Sequence, residues 1–345
     1  MTESLFFTIF LVFVVLMLFL DLGVFNKDNH IVKWEEALMW TGIWIGCSLL
    51  FYLFLYLHAE WVHGIQDSEG LVKYAQKYGS NFVFNNNVSY SENLHLFRKA
   101  VSLEFLTGYL IEKSLSLDNI FVMLLICTSF KVEPKYFHRV LFYGILGAIV
   151  LRFIFIFLSS TLIHHFHWLL LVFGIFLVYS GIKMIFEKQK EYIDVDKHIV
   201  VRFLSKLKMT TPNYYDQNFF VKEHGRWMFT PLFVVVLIIE FSDVIFAVDS
   251  IPAIFSVTQD PFIVFFSNIF AILGLRALFF VLQDMVDKFR FLKYGIAALL
   301  TFIGIKMSLP FIPFITFEIS TAASLWFILG VLLASIASSL LIKEK

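Results

Sequence analysis

Residues 231–256 read PLFVVVLIIEFSDVIFAVDSIPAIFS, and residues 101–130 read VSLEFLTGYLIEKSLSLDNIFVMLLICTSF. Each is long enough to cross a bilayer, which takes about 20 largely apolar residues. Yet the first carries Glu240, Asp243 and Asp249, and the second Glu104, Glu112, Asp118 and Asn119. An Asp at the centre of a spanning helix costs about 2.5–3.5 kcal/mol, so these groups face away from lipid and something offsets them: a cation, an internal ion pair or protonation.

The two stretches are copies. Asp118-Asn-Ile-Phe is echoed by Asp243-Val-Ile-Phe, Leu151-Arg152 by Leu275-Arg276, and Gly181-Ile-Lys-Met184 by Gly304-Ile-Lys-Met307, at offsets of 125, 124 and 123. Three echoes in order at near-constant spacing indicate duplication of a three-helix unit. Around them the apolar stretches are 5–25, 36–58, 101–130, 137–163, 168–186, 231–256, 261–283, 291–309 and 319–341. With 59% hydrophobic and 16% charged residues and a mean hydropathy of +0.80, the composition excludes an ordinary soluble protein, in which charged residues make up about 25%. The expectation is an all-α polytopic membrane protein of about nine transmembrane helices. It divides into an N-terminal two-helix unit (1–58), an extracytoplasmic loop (59–100), a first repeat (101–186), a cytoplasmic basic loop (187–230), a second repeat (231–309) and a C-terminal helix (310–345).

Lys and Arg fall in alternate gaps, which by the positive-inside rule puts the N-terminus outside and the C-terminus in the cytoplasm. The 59–100 segment is the exception, with Lys73, Lys77, Arg98 and Lys99. The first repeat then starts outside and the second inside, so the copies are inverted, an architecture of secondary transporters that hold substrate near the midplane between the copies. The first apolar stretch lacks a basic leader and a small-residue cleavage site and reads as a retained span. Zero net charge argues against a nucleic-acid partner. Two cysteines, Cys47 and Cys127, form no CxxC pair. No phosphate loop, GxSxG or HExxH occurs, so an enzyme or ATP-driven pump is not expected.

Glu240, Asp243, Ala247 and Ser250 follow i, i+3, i+7, i+10 and form one stripe. Pro252 predicts a bend or break near Asp249, because it cannot bond the Val248 carbonyl. Glu104, Gly108, Glu112 and Asn119 share an arc of the other helix, with Asp118 beside it. The donors are oxygens without His or thiolate, which suits Mn²⁺, Ca²⁺ or Mg²⁺ better than Zn²⁺. The plain alternative is that the acids form structural ion pairs with Arg152, Arg276, Lys183 or Lys306. Both arginines read as structural groups or as counter-ions to an empty acidic site. Asp21 is a site member or a helix-end group. His164, His165 and His167 read as a solvated interfacial cluster, and His198–Lys208 as a basic loop or a helix on the cytoplasmic lipid surface.

Glu104-Phe-Leu-Thr-Gly-Tyr-Leu-Ile-Glu-Lys-Ser-Leu-Ser-Leu-Asp-Asn-Ile-Phe and Glu240-Phe-Ser-Asp-Val-Ile-Phe-Ala-Val-Asp-Ser-Ile-Pro-Ala resemble the signature stretches of the TerC family of integral membrane proteins. The resemblance runs from about Leu5 to Leu309 and includes DLGVF at Asp21 and SNIFAILGLRAL around Arg276. It implies an inner-membrane protein of metal-ion homeostasis, chiefly manganese efflux, with a link to tellurium resistance. Asp118, Asp243 and Asp249 are then the expected metal handlers, with Glu104, Glu112, Glu240 and Asn119 nearby. The 59–100 segment, rich in Asn and Tyr, departs from the pattern. The expected function is a secondary transporter exporting a divalent cation, Mn²⁺ ahead of Ca²⁺, with no tightly bound cofactor, the lipid bilayer as solvent and protons as counter-ion. The alternatives are a membrane scaffold or metal-loading factor that engages a cytoplasmic partner through 187–230, and oxyanion handling by Arg152 and Arg276.

Overall fold

A computed structural model describes residues 2–25, 34–78, 81–166, 168–186, 198–206, 209–223, 225–283, 291–312 and 319–341, with the side chains of 21–25, 164, 205 and 340 left aside. The chain is an all-α membrane bundle. Its helices are α1 Glu3–Phe25, α2 Trp34–His58, α3 Glu60–His63, α4 Ser68–Tyr78, α5 Tyr90–Ser129, α6 Phe137–His165, α7 Leu169–Phe186, α8 Ile199–Lys206, α9 Pro231–Phe255, α10 Pro261–Ile272, α11 Leu275–Gln283, α12 Leu292–Ser308 and α13 Thr321–Leu341. A two-stranded antiparallel hairpin, β1 Phe220–Glu223 and β2 Arg226–Phe229, precedes α9. Among the described residues, eight helical spans are long and apolar enough to cross a membrane, α10 and α11 counting as one. The 40-residue α5 packs among these spans but is more highly charged than they are.

The inverted repeat is visible in the packing of its third helices. A Cβ on Gly181 of α7 would meet the Ala297 carbonyl of α12 at 2.7 Å and the Thr301 nitrogen at 2.9 Å. One on Gly304 of α12 would meet the Gly174 carbonyl of α7 at 2.6 Å and the Val178 nitrogen at 2.7 Å. Moving the first set of contacts by the repeat offset of 123 and exchanging the helices produces the second. The partners run in opposite chain directions, so the copies are related by a two-fold axis, as inverted units must be. Small residues allow this approach because, in lipid, helices associate by close packing and not by a hydrophobic drive.

Two expectations are corrected. The predicted break at Pro252 does not occur: α9 is continuous to Phe255. Pro252 sits three residues from the helix end, where little helix remains to disrupt. The broken span is instead 261–283, the most enclosed in the bundle, with 89% of its apolar window buried. There α10 stops and α11 begins after Leu273 and Gly274, the latter with φ +81° and so close to Trp44 of α2 that a Cβ would lie 2.7 Å from its side chain. Lys113 Nζ on α5 donates to the Ala271 carbonyl at 3.2 Å and satisfies one acceptor at the α10 terminus.

The 59–100 segment is not simply a loop. It holds α3, α4 and the first turns of α5, whose start is fixed by a capping box between Ser89 and Glu92. With 40 residues, α5 is about 60 Å long against a hydrocarbon thickness of about 30 Å, so it carries this cap clear of the membrane. Leu71, Tyr74 and Tyr78 of α4 are buried at i, i+3, i+7, and Tyr74 meets Phe97 of α5 edge-on at 4.8 Å. Arg98 grips Glu60 in a fork at 2.7 and 2.5 Å. On the side of the bundle next to α1 and α2, Phe10 and Phe51 seat α10 through Phe266 and Phe270, with ring centroids 4.3 and 4.8 Å apart.

Gly181→Val and Gly304→Val are expected to destabilise the bundle equally, each by about 1–3 kcal/mol through overpacking. Gly330→Val, with nothing within 4 Å, serves as the silent control in thermal unfolding of the detergent-solubilised protein.

Candidate functional site between the two repeats

The repeats meet at a charged cluster buried at mid-span. Asp243 is at the centre of α9 and Arg152 near the centre of α6, and both are almost fully buried. Arg152 donates to Asp243 as a fork, Nη2 to Oδ1 at 2.8 Å and Nε to Oδ2 at 3.2 Å. Its Nη1 donates to Asn268 Oδ1 of α10 at 2.6 Å and to Glu112 Oε1 of α5. Arg152 and Glu112 belong to the first repeat, Asp243 and Asn268 to the second. A planar guanidinium fits this role because it donates in several in-plane directions and stays charged in a protein interior. Two carboxylates around one guanidinium leave a formal charge of −1.

Around the cluster several buried polar atoms have no hydrogen-bond partner: Glu112 Oε2, Ser116 Oγ and Asn119 Oδ1 on α5, Glu240 Oε2 and Ser250 Oγ on α9, and Asn268 Nδ2 on α10. Buried polar atoms are normally satisfied by protein or water, so the oxygens around Arg152 are free to accept a further partner. On α5 these residues follow i, i+4, i+7 from Glu112. On α9, Asp243 and Ser250 are seven apart. Because α5 and α9 run in opposite directions, with Gly108 against Ile254, Glu112–Asn119 lie opposite Ser250–Asp243 over about 10 Å of each helix. Gly147 of α6 leaves the space that the Glu240 carboxylate fills.

The other expected site residues lie elsewhere. Asp249, six residues from Asp243 and so on another face of α9, accepts a 3.2 Å bond from Ser180 Oγ of α7. Asp118, six residues from Glu112, is half-buried and is not among the groups bonded to Arg152. Glu104 is fully enclosed toward the capped end, where Asn81 donates to Oε1 through its backbone N–H at 3.2 Å and Nδ2 at 2.8 Å, and Thr258 Oγ1 donates to Oε2 at 2.7 Å. Among the described residues no three His, Cys, Asp or Glu side chains converge as a metal-binding group. Lys306 donates to Ser324 Oγ at 2.9 Å and not to an acid. Asp21, His164 and His167 fall outside the described side chains, and His165 is exposed. Sequence reasoning did not single out Asn268. An amide eight residues before Arg276, in the middle of a largely apolar span, was its only signal.

The cap is latched over this end by His63. Its Nε2 donates to Asp260 Oδ2 at 2.8 Å, its Nδ1 to Glu3 Oε2 of α1 at 3.3 Å, and Tyr74 also donates to Asp260 at 3.1 Å. Asp260 in turn caps α10 through Phe262 N–H at 3.0 Å. Burial alone would lower the His63 pKa, but the Asp260 and Glu3 carboxylates outweigh it and push it up to about 9.

Comparison with known proteins places the chain among membrane proteins. The sequence profile described as "Integral membrane protein TerC family" matches residues 97–345. An uncharacterized membrane protein of Myxococcus xanthus is 42% identical over 332 residues, covering 96% of this chain and 91% of its own. Proteins described as membrane-bound redox modulator Alx are similar too. That of Escherichia coli K12 is 42% identical over 94% of this chain and 90% of its own. That of Photorhabdus laumondii is 43% identical over 86% and 84%. No solved structure matches significantly.

The His63 latch predicts a pH dependence. Its pKa is raised on folding from 6.5 to about 9, so its contribution to stability is complete below pH 6.5 and is lost as pH rises through 9. The thermal midpoint of the wild type should exceed that of His63→Gln at pH 6, and the gap should close between pH 6.5 and 9.

Proposed function

Because the chain belongs to the TerC family of integral membrane proteins, we propose that it is a secondary transporter that exports a divalent cation, Mn²⁺ first and Ca²⁺ second, across the inner membrane. The observation that carries this reading is the acid-rich cluster at the junction of two inverted repeats, flanked by buried oxygens that the fold leaves unsatisfied. Inverted repeats place transport sites at that junction. Carboxylate, amide and hydroxyl oxygens select hard cations over Zn²⁺ and Cu⁺.

The hairpin end is assigned to the cytoplasm. Arg139, Arg202, Lys206, Lys222 and Arg226 all lie toward it, which supports a cytoplasmic C-terminus and an external N-terminus by the positive-inside rule. Proton return is the counter-flow expected of carboxylates that empty into a low-dielectric interior. The relatives' description as redox modulators does not need thiol chemistry in this chain. Cys47 is half-buried and Cys127 buried, both free, whereas reactive cysteines are accessible and sit in electropositive surroundings. Oxyanion handling by Arg152 is disfavoured because its Nε, Nη1 and Nη2 donors are all engaged by Glu112, Asp243 and Asn268.

A second reading, a scaffold or metal-loading factor, draws on the hairpin end, where Trp227 is 67% and Phe220 48% exposed. Such apolar exposure suits a protein partner. Purified protein reconstituted alone in liposomes separates the two. The carrier should move Mn²⁺ and Ca²⁺ but not Zn²⁺, and intact protein that moves none of them would favour the scaffold.

Asn119→Ala removes an oxygen that makes no bond in the fold, so Mn²⁺ flux per mole of protein should fall about tenfold, the loss expected when a ligand worth about 1.4 kcal/mol is removed, while abundance stays unchanged. Asp243→Asn should abolish flux and also lower stability, by about 3–5 kcal/mol, because Arg152 is left buried without its main partner. Uptake of ⁵⁴Mn²⁺ into everted vesicles and a thermal-shift measurement read both quantities.

A further inference from the structure

We propose that Arg152 is the resident counter-cation of the transport site: in the unloaded protein its guanidinium holds the place between Glu112 and Asp243 that the divalent cation takes on loading, and it transfers to Glu240 when displaced. This rests on the cation-carrier reading above and specifies how the site is regulated.

Three observations lead to it. Arg152 is 1% exposed and engages both carboxylates at once, Asp243 through a fork and Glu112 through Nη1, so the positive charge expected at this position is already there. The cluster is nevertheless incomplete as a structural ion pair. Glu112 Oε2 and Asn268 Nδ2 beside it have no partners, although a buried network kept only for stability would leave none. Finally, a receiver is in place. Glu240 lies three residues before Asp243 on the same stripe of α9, about 4.5 Å away along the axis. Its carboxylate packs over Gly147, on Arg152's own helix, and its Oε2 is unpartnered.

The arrangement gives the exchange a sense. While Arg152 bridges Glu112 of the first repeat and Asp243 and Asn268 of the second, it pins the repeats together. A divalent cation competes for the same oxygens with twice the charge. The freed guanidinium cannot lose its proton and needs another carboxylate, which Glu240 supplies. The pin between repeats is thereby moved by one helical turn, and the two units can shift against each other. When the cation leaves, Arg152 returns and prevents two bare carboxylates from facing each other in a low-dielectric interior.

The test is Mn²⁺ binding to the purified full-length protein in detergent, together with flux in liposomes. Arg152→Gln removes the competitor, so Mn²⁺ should bind at least about tenfold more tightly while flux collapses for want of the returning charge. Guanidinium ion at sub-denaturing concentration should then weaken Mn²⁺ binding to Arg152→Gln and restore part of the flux, an effect that a purely structural arginine would not show. Glu240→Gln removes the receiver and should weaken Mn²⁺ binding in an otherwise intact protein. Should Arg152→Gln fail to accumulate, Arg152→Lys is read in its place. Its ammonium cannot fork onto Asp243 and bridge to Glu112, so Mn²⁺ should again bind more tightly than in the wild type. Unchanged or weaker binding in the arginine variants, with wild-type flux intact, overturns the counter-cation proposal and leaves the carrier reading standing. A wild type that neither binds nor moves any divalent cation overturns both.

Discussion

The structure depends on a charged contact held at the centre of the membrane. Arg152, Glu112 and Asp243 are each expensive in hydrocarbon, about 2.5–3.5 kcal/mol for a charged residue at mid-span, and they are tolerated because the shared guanidinium offsets part of the carboxylate charge within the bundle. Their helices must therefore enclose them. This requirement draws α5 and α6 of the first repeat against α9 and α10 of the second, while α6 and α9 still expose apolar side chains such as Val150, Ile154, Ile245 and Val248 on their other faces. Removing Arg152 leaves two carboxylates buried side by side, and removing Asp243 leaves the guanidinium without its forked partner, which is why the cluster is the clearest functional feature of the fold.

Two other features set the mechanical character of the bundle. Glycine contacts between α7 and α12 bring backbones together, so the third helices of the repeats form a close antiparallel pair exchanged by the two-fold axis. The interruption at Leu273 and Gly274 does the opposite, dividing the most enclosed span into two short helices. Irregular backbone at this depth persists only where protein or a polar cavity satisfies it, and Lys113 does so for the Ala271 carbonyl. At the capped end, Glu104 is sealed by Asn81 and Thr258, and the His63 latch ties α1, α3, α4 and the start of α10 together.

Sequence alone determined the solvent, the helical class and the duplication. Each is written in the type and spacing of residues along the chain: long apolar runs, a 3.6-residue period, and three echoes at nearly constant offset. It also exposed Glu112, Asp243, Glu240 and Asn119 as groups that lipid cannot accept, because the cost of burying a charge is a local property. Tertiary structure decided which of those acids meet around Arg152. Asp118 and Asp249, equal to Asp243 as intramembrane aspartates, fall on other helix faces, while Asn268 enters from a span whose only charged residue is Arg276. It decided that the helix breaks at Gly274 and not at Pro252, since a break is fixed by what replaces the lost hydrogen bonds and by the approach of Trp44, neither of which the local sequence records. It also decided that the positive charge among the carboxylates is Arg152, because an arginine 40 positions from one acid and 91 from the other is brought between them only by packing the two repeats together.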